Sequence, residues 1–442
     1  MGGRRIPALP IRHPWDNSRA MQDHTRAPAA AATHAQAAEM RFGEFVSLIA
    51  VMIALSALAI DIMLPAMPDL ARAFALQNPN DRQLVVTAYM LGFAVGQPFY
   101  GPLSDRFGRK PVLVAGLLVF LAATLWAVLA PTYEGLLAAR ALQGFGGASP
   151  RIMAVAIVRD RFAGRDMARV MSFVMMVFIV VPILAPALGE GILLLGPWEW
   201  TFATLLLSAA GALAWSVLRL PETRSHADRM PLSLGSLGGA VTTVVTTRLT
   251  LGYTVAMGFL FGGLLSYIGS AQQIFVDIYD LGRMFPVMFG AIACAMALAS
   301  FTNARLVGRL GMRRVSHLAL LGYLGAGLAM GLLGFPEHPP LWVTSIFLAV
   351  VFFCFGLIAP NFNAMAMEPL GRIAGMASSF IGFYTTAVSA VLGWLVGQAF
   401  DGTVRPLTVG FAVMGALALV TVLLTERRLA IGRGADPARS RT

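Results

Sequence analysis

The chain has 442 residues, of which 57% are hydrophobic and only 12% are charged. A soluble protein is typically about half apolar and about a quarter charged, so this composition argues against a soluble multidomain enzyme and against a disordered or fibrous chain. The two cysteines, Cys294 and Cys354, both lie in apolar runs, which argues against a disulfide framework or a Cys-x-x-Cys metal site. The composition indicates a membrane protein that crosses the bilayer several times.

The formal charge of +11 could indicate nucleic-acid binding, but its distribution favours another interpretation. Lys110 is the only lysine, and the arginines occur in short segments between apolar runs. The cytoplasmic loops of membrane proteins carry an excess of such residues. We therefore interpret the charge as a signal of topology and expect no nucleic-acid partner.

Apolar stretches of about 20 residues are long enough to cross a bilayer as helices. The sequence predicts twelve such spans, at residues 45–67, 84–103, 112–130, 135–158, 170–195, 200–219, 251–275, 285–304, 315–334, 341–364, 374–398 and 405–425. With both termini in the cytoplasm, 27 of the 33 Lys and Arg residues lie on the cytoplasmic side and 4 on the outer side. This asymmetry favours that orientation.

The connection at residues 220–250 is the longest one within the predicted membrane region, and it separates six spans from six. The predicted organisation has five parts: a disordered cytoplasmic tail at 1–44, an N-terminal six-helix half at 45–219, a cytoplasmic linker at 220–250, a C-terminal half at 251–425 and a cytoplasmic tail at 426–442. For the first tail, a mitochondrial presequence is an alternative that its acidic residues argue against. A true start at Met40 is another.

The two halves repeat one loop. The segment 105–110 follows the second span, and the similar segment 308–313 follows the eighth span, 203 residues later. Two parallel halves of six spans are typical of transporters that bind a substrate near the bilayer midplane and alternate access to it. The repeat therefore favours a transporter.

The most specific motif lies in this loop and contains Gly101, Asp105, Arg106, Gly108 and Arg109. It places a carboxylate and several cations in a tight glycine turn at the cytoplasmic membrane face. We expect Asp105 to accept backbone N–H groups at a nearby helix N-terminus, and the arginines to contact lipid phosphates or helix carbonyls. A loop that only sets topology is the alternative interpretation.

The full string around Asp105 resembles the signature loop of the major facilitator superfamily. Two further motifs resemble those of its drug:proton antiporters. One begins at Arg140 in the fourth span, and the other lies in the fifth span and contains Pro182, Pro186 and Gly189. Segments similar to the Bcr/CflA multidrug-efflux branch lie at 59–68, 91–100, 303–307 and 360–369.

This resemblance covers residues 45–425 and implies an all-α membrane protein with twelve transmembrane helices in two six-helix halves. It also implies an inner-membrane exporter that exchanges protons for small, mostly apolar compounds. The chain departs from the branch at Glu190, where a glycine is usual. It departs again at Val155, where an arginine is usual, and it carries Arg151 one turn earlier.

Four charged residues lie clearly inside the predicted spans: Asp61, Glu190, Arg140 and Arg151. Charges at bilayer depth are costly, so each is a candidate for function, with a structural ion pair or a snorkelling side chain as the alternative. At about 1.5 Å per residue, Asp61, Arg140 and Glu190 all lie roughly 7–9 Å below the outer surface, and we expect that they can meet. Arg151 lies three turns deeper on the same face as Arg140.

Burial and a neighbouring cation shift the pKa of a carboxyl group in opposite directions, so a mobile arginine can load or release a proton. We therefore predict that Asp61 carries the coupled proton and that Arg140 modulates it. Glu190 is the second candidate.

A substrate chamber needs apolar and aromatic walls with a few polar groups. The predicted chamber residues combine these properties, although ordinary helix packing is the alternative for each: Tyr89, Phe93, Gln97, Arg151, Tyr267, Gln272, Gln273, Asn361, Asn363 and Tyr384.

The sequence has no Walker motif, no Ser/His/Asp set and no His/Cys metal cluster. We therefore expect a transporter driven by a gradient rather than an enzyme, with no cofactor or bound metal, and we expect a monomer. The hypotheses are a proton-coupled exporter, a proton-coupled importer of a small nutrient on the same fold, and, from another class, a membrane enzyme or channel. No motif in the sequence identifies the substrate.

Overall fold

The computed structural model describes residues 40–224, 234–332 and 338–426. Most of the predicted N-terminal tail, at residues 1–39, lies outside these ranges, as do residues 427–442 of the predicted C-terminal tail. Residues 225–233 of the predicted linker are also outside them. Within the described ranges the chain is almost entirely helical and contains no β-strand.

The described residues form twelve helices of 20 residues or more, one for each predicted span. They are α1 (Phe42–Asp61), α2 (Leu84–Phe107), α3 (Arg109–Leu129), α4 (Tyr133–Arg161), α5 (Gly164–Leu193), α6 (Glu199–Arg219), α7 (Arg248–Gln272), α8 (Phe285–Leu310), α9 (Met312–Leu332), α10 (Leu341–Met367), α11 (Ala374–Gln398) and α12 (Arg405–Glu426). The prediction of twelve spans is confirmed at the level of the fold.

Among the described residues, ten helical segments are long and apolar enough to cross a membrane by length and composition. The two long helices outside this set are α4 and α9. Helix α4 carries both Arg140 and Arg151, so its interior is more polar than that of the other spans. Charges within a spanning helix mark it as a candidate wall of a functional cavity.

The predicted first span extends to residue 67, but α1 ends at Asp61. A short 3-10 turn, Leu64–Ala66, follows, and a second short helix covers Met67–Ala73. Pro65 has no N–H to donate and disfavours the helical conformation of the preceding residue. The helix therefore ends before the apolar run does. The carboxyl group of Asp61 therefore lies at a helix end.

The repeat detected in the sequence is also present in the structure. Helices α2 and α8 end at Gly108 (φ 103°) and Gly311 (φ 82°), which lie 203 residues apart. Only glycine adopts such backbone angles without strain. In each half, the second and third helices pack on the fourth and the first packs on the fifth, while α2 packs on α11 and α5 on α8 between the halves.

Part of the predicted linker is helical. The segment Leu234–Thr246 forms a helix that packs against α7 and α11. Val244 on this helix is fully buried. This part of the linker therefore packs on the second half, whereas the predicted division into two domains and two tails stays a prediction.

Candidate functional site

The carboxyl group of Asp61 is buried at the end of α1, within electrostatic range of Tyr267 on α7. Its side chain is 4% exposed. It forms no hydrogen bond or ion pair with any residue that the structure describes. A buried carboxylate without a partner is unstable, so this position is one at which protonation strongly affects the local free energy.

Helix α5 reaches the end of α1 at Gly189, in the predicted antiporter motif. A Cβ atom built on Gly189 would lie 2.0 Å from the carbonyl oxygen of Ile62, the residue that follows Asp61. No side chain fits there, so glycine permits the close approach of the two backbones. Pro182 and Pro186 lie within the same helix. The structure therefore brings the motif and Asp61 together.

Arg140 is fully buried on α4 and binds backbone rather than Asp61. Its Nη2 donates to the carbonyl of Ala59 at 3.1 Å and its Nε to the carbonyl of Val85 at 3.1 Å, and Nη1 donates to Oε1 of Gln143. Ala59 belongs to the last turn of α1, where carbonyls lack helical partners. Arg140 thus links α4 to the end of α1 and the start of α2.

The expected meeting of Asp61, Arg140 and Glu190 does not occur. Arg140 contacts the backbone two residues before Asp61, and Glu190 is half-buried within electrostatic range of Arg283 and Asp69. Helical rise gives the depth of a residue but not the direction of its side chain. Among the described residues, no hydrogen bond or ion pair joins the three side chains, although Gly189, beside Glu190, packs on Ile62, beside Asp61.

Tyr89, Phe93 and Arg151 form one wall between α2 and α4. The rings of Tyr89 and Phe93 stack with centroids 6.2 Å apart, and the Cζ atom of Arg151 lies 5.8 Å from the centre of the Phe93 ring. Arg140 lies over Tyr89 at 4.7 Å. Two guanidinium groups therefore flank one aromatic pair, an arrangement that favours cation–π contacts.

The face of α4 that carries Arg151 points towards the second half. Arg151, Val155 and Arg159 recur every four residues along α4, and all three are exposed. A Cβ atom built on Gly375, in α11, would lie 3.4 Å from Nη1 of Arg159. Arg159 therefore contacts the second half, and Arg151 lies two turns earlier on α4 with an exposed side chain.

Three predicted chamber residues have partners within the protein. Nε2 of Gln97 donates to the Gly382 carbonyl at 3.2 Å and to Oγ1 of Thr386 at 2.9 Å, joining α2 to α11. Nδ2 of Asn361 donates to Oδ1 of Asn303 at 2.8 Å. Tyr384 is half-buried and packs beside a glycine of α7. Gln97 and Asn361 therefore have structural contacts, and Asn363 is exposed.

Tyr267 and Gln272, both on α7, are buried but have unpaired polar groups. Tyr267 is 3% exposed and packs on Phe289 and Phe352, yet its hydroxyl has no hydrogen-bond partner. Both polar atoms of the Gln272 side chain also lack partners. Buried polar groups are normally hydrogen-bonded, so these atoms are candidates to contact a bound compound.

Sequence reasoning did not identify the polar cluster that joins the halves near the start of α2. Arg82 forms an ion pair with Asp277, and Nε2 of Gln83 donates to Oε1 of Gln273. Nε2 of Gln273 in turn donates to Oδ1 of Asn80 at 2.7 Å. This outer cluster lies at the end opposite the Asp105 loop and holds the two halves together. The prediction had placed Gln273 in the chamber.

The Asp105 loop forms a different network from the expected one. Oδ1 of Asp105 accepts a hydrogen bond from Nη1 of Arg109 at 2.9 Å and forms an ion pair with Nη1 of Arg224 at 3.1 Å. It is Glu222 that accepts the backbone N–H groups at the start of α3, at 2.9 Å from Arg109 and 3.1 Å from the next residue. The expectation for Asp105 is wrong because Glu222, after α6, occupies that position.

Arg109 is 2% exposed and also binds Asp160 at the end of α4, with Nε 2.8 Å from Oδ2. It therefore bonds acids of the protein rather than lipid. Arg106 is exposed and lies 5.3 Å from the ring centre of Phe107. Gly101 lies near Ser379 of α11, since a Cβ built on it would be 3.4 Å from the hydroxyl. The network ties α2, α3, α4 and the segment after α6 together.

Residues 49–397 match the family model of the Major Facilitator Superfamily. The chain belongs to this superfamily. It is therefore a membrane-spanning transporter of small molecules rather than an enzyme, and the predicted resemblance is confirmed.

Relatives with related names support the assignment to the drug-resistance branch. The chain is 30% identical to the bicyclomycin resistance protein homolog of Haemophilus influenzae, over 87% of this chain and 97% of that protein. It is 29% identical to multidrug resistance protein D of Escherichia coli, over 79% and 87%. A crystal structure of a D-xylose-proton symporter has a TM-score of 0.70 at 15% identity, covering 86% of this chain and 97% of the other, which shows the shared fold alone.

Proposed function

We propose that this protein exports small, largely apolar compounds across the cell inner membrane in exchange for protons. The names of its relatives, a bicyclomycin resistance protein homolog and multidrug resistance protein D, support an exporter of drugs or metabolites. The excess of basic residues on one side supports cytoplasmic termini. The protein acts as a monomer on a small-molecule substrate and a proton, without nucleic acid.

The proposal of proton coupling depends on the carboxyl group of Asp61. This group is buried and forms no hydrogen bond or ion pair with the residues that the structure describes. Gly189 of the antiporter motif packs against the adjacent residue, and Arg140 binds the preceding turn of α1. A shift of α4 or α5 therefore moves the helix end that carries Asp61. In this proposal Asp61 gains and releases the proton, and Arg140 positions the helix end without pairing with the carboxylate.

The arrangement of the halves supports alternating access. The outer cluster around Arg82 and Gln83 joins the halves at one end, while Arg151 and Val155 of α4 have exposed side chains. The protein described here is therefore in a state closed at its outer end. Opening requires that the outer cluster separates.

The test uses everted membrane vesicles with a pre-formed acid interior, followed by a fluorescent pH indicator. Adding antibiotics and dyes from a panel should dissipate the gradient if any is a substrate. Asp61→Asn, which keeps the size of the side chain, should abolish substrate-linked proton release. Asp69→Asn is the matched control, since Asp69 pairs with the exposed Arg72 at the protein surface.

Uptake that survives a protonophore but stops when ATP is depleted would refute proton exchange. The direction of proton movement separates the exporter from the alternative, a proton-coupled nutrient importer. An exporter moves protons against the direction of its substrate, whereas a symporter moves both together.

A further inference from the structure

One exposed face of α5 changes from cationic to apolar along its length. Arg165 and Arg169 lie one turn apart near the start of the helix, and both side chains are exposed. Residues at this spacing share a helix face. Exposed apolar side chains continue the face at Phe173, Val177, Leu184 and Leu188. The face therefore has the polarity of a phospholipid, in which a charged headgroup is joined to apolar chains.

The apolar part of this face lines a cavity between α5 and α1. The cavity has a volume of about 300 Å³, and its lining is entirely apolar, with Leu58 on α1 and Val177, Leu184 and Leu188 on α5. A cavity without polar groups does not hold ordered water, so an apolar occupant suits it. Val177 lies eight residues after Arg169, so about 12 Å of helix separates the start of the cavity from the cation.

Aromatic side chains position the arginines at this end of the helices. The Cζ atom of Arg169 lies 5.6 Å from the ring centre of Phe42, the first residue of α1. Arg161, the last residue of α4, lies 5.2 Å from the ring centre of Phe45. Both rings pack on Phe162, with centroids 6.1 Å and 5.4 Å apart. The ends of α1, α4 and α5 therefore gather arginines around one aromatic group.

The charge around this aromatic group is positive. Arg161, Arg165 and Arg169 are exposed, and none of them forms an ion pair with an acid that the structure describes. Of the two acids in the same stretch, Asp160 already forms an ion pair in the network of the Asp105 loop, and only Asp166 remains. Clusters of arginine beside a spanning helix attract anionic lipids of the cytoplasmic leaflet.

We propose that this face of α5 binds an anionic phospholipid of the cytoplasmic leaflet. The lipid phosphate accepts hydrogen bonds from Arg165 and Arg169, and one acyl chain runs along Phe173 into the cavity beside Leu58. A soluble phosphate compound would match only the cationic end, whereas a phospholipid matches the cations and the cavity together. The proposal uses the orientation proposed above, but it does not depend on which compound is exported.

The test measures binding of dioleoyl-phosphatidylglycerol and dioleoyl-phosphatidylcholine to the purified full-length protein in detergent, by native mass spectrometry. The two lipids share their chains and differ in net charge. One basic residue near anionic headgroups contributes roughly fivefold in affinity, so wild type should bind the phosphatidylglycerol at least about fivefold more tightly. Arg165→Gln combined with Arg169→Gln should reduce this preference to within about twofold.

The matched control is Arg305→Gln combined with Arg309→Gln. These two arginines are also exposed and one turn apart, but they lie at the end of α8 rather than beside the cavity. The control should leave the preference unchanged, and an equal loss there would overturn the proposal, because total charge alone would then explain the effect. Arg165→Lys combined with Arg169→Lys keeps both charges and should keep most of the preference, which tests the charge if the glutamine variant does not fold.

Leu184→Trp tests the acyl chain, because the larger side chain fills part of the cavity. Both lipids should then bind several-fold more weakly, whereas Leu207→Trp, at a position of α6 that is 73% exposed, should have no effect. Glycerophosphoglycerol, which is the headgroup without chains, should not displace the lipid. Equal binding of the two lipids by wild type, binding of neither, unchanged affinity in Leu184→Trp, or displacement by glycerophosphoglycerol would each overturn the proposal. Proton exchange is measured separately in the vesicle assay, so its failure would be distinct from these outcomes.

Discussion

Replacing Gly189 by alanine tests whether the contact between α5 and the end of α1 positions the proton site. The added Cβ would lie 2.0 Å from the Ile62 carbonyl oxygen, whereas real Cβ atoms essentially never approach closer than 3.0 Å. The two backbones must therefore separate by about 1 Å, and overpacking of this kind costs about 1–3 kcal/mol. Since functional groups must be held within about 0.5 Å of their working geometry, we expect substrate-linked proton release to fall on the order of tenfold or more.

The chain offers a close control for this substitution. Gly191 lies two residues further along α5, and a Cβ built on it meets nothing within 4 Å. Gly191→Ala should therefore leave both thermal stability and proton release in everted vesicles unchanged. If Gly189→Ala behaves like Gly191→Ala in both measurements, the close contact with Ile62 does not position Asp61, and the reasoning is refuted.

Three further substitutions test other parts of the protein. Asp105→Asn keeps an oxygen acceptor but removes the negative charge that pairs with Arg109 and Arg224. A binding assay should therefore give near-native affinity while vesicle turnover falls several-fold, and normal turnover would show that the loop only sets topology. Arg82→Asp should separate the outer cluster and impair transport, and adding Asp277→Arg should restore part of the rate, because the pair is then re-formed with reversed charges; no recovery in the double variant would contradict a role for this pair. Glu190→Gln should leave proton release intact, since Glu190 is only half-buried and lies within electrostatic range of Arg283, and loss of release would show that Glu190 rather than Asp61 carries the proton.

The sequence was sufficient to predict most of the fold. The length of the apolar runs predicted all twelve long helices, because a bilayer requires about 20 residues per helix. The largest discrepancy at a candidate site is in the first span, where the apolar run continues through Pro65 although α1 ends at Asp61. The length of an apolar run is determined by the thickness of the membrane, whereas the end of a helix is determined by local backbone chemistry.

Contacts between distant residues were harder to predict. Arg140 and Asp61 share a depth, but the guanidinium reaches the carbonyl of Ala59 instead of the carboxylate. Glu222 accepts the N–H groups assigned to Asp105, since its position after α6 places it at the start of α3. A single sequence gives depth and charge, but the direction of a side chain depends on how the helices pack.

The outer cluster had a weak signal in the sequence. The polar run from Asn80 to Gln83 precedes α2, and Gln273 and Asp277 follow α7. The order of the spans places both segments at the same end of the helices, and the structure brings them into contact there. Their pairing across about 190 residues has no signature in one sequence, because it depends on how the two halves pack against each other.

The proposed proton site and the predicted substrate chamber lie at different levels of α4, which constrains how they communicate. Arg140, which binds the turn before Asp61, and Arg151 lie 11 residues apart on α4, which places the proton and substrate levels about 16 Å apart. At an effective dielectric constant near 20, two unit charges at this distance interact by only about 1 kcal/mol, or roughly a fivefold change in proton affinity. Direct electrostatic coupling is therefore too weak for obligatory exchange. Arg140 offers the stronger route, since a movement of α4 on substrate binding is transmitted to the end of α1 through its hydrogen bond to Ala59.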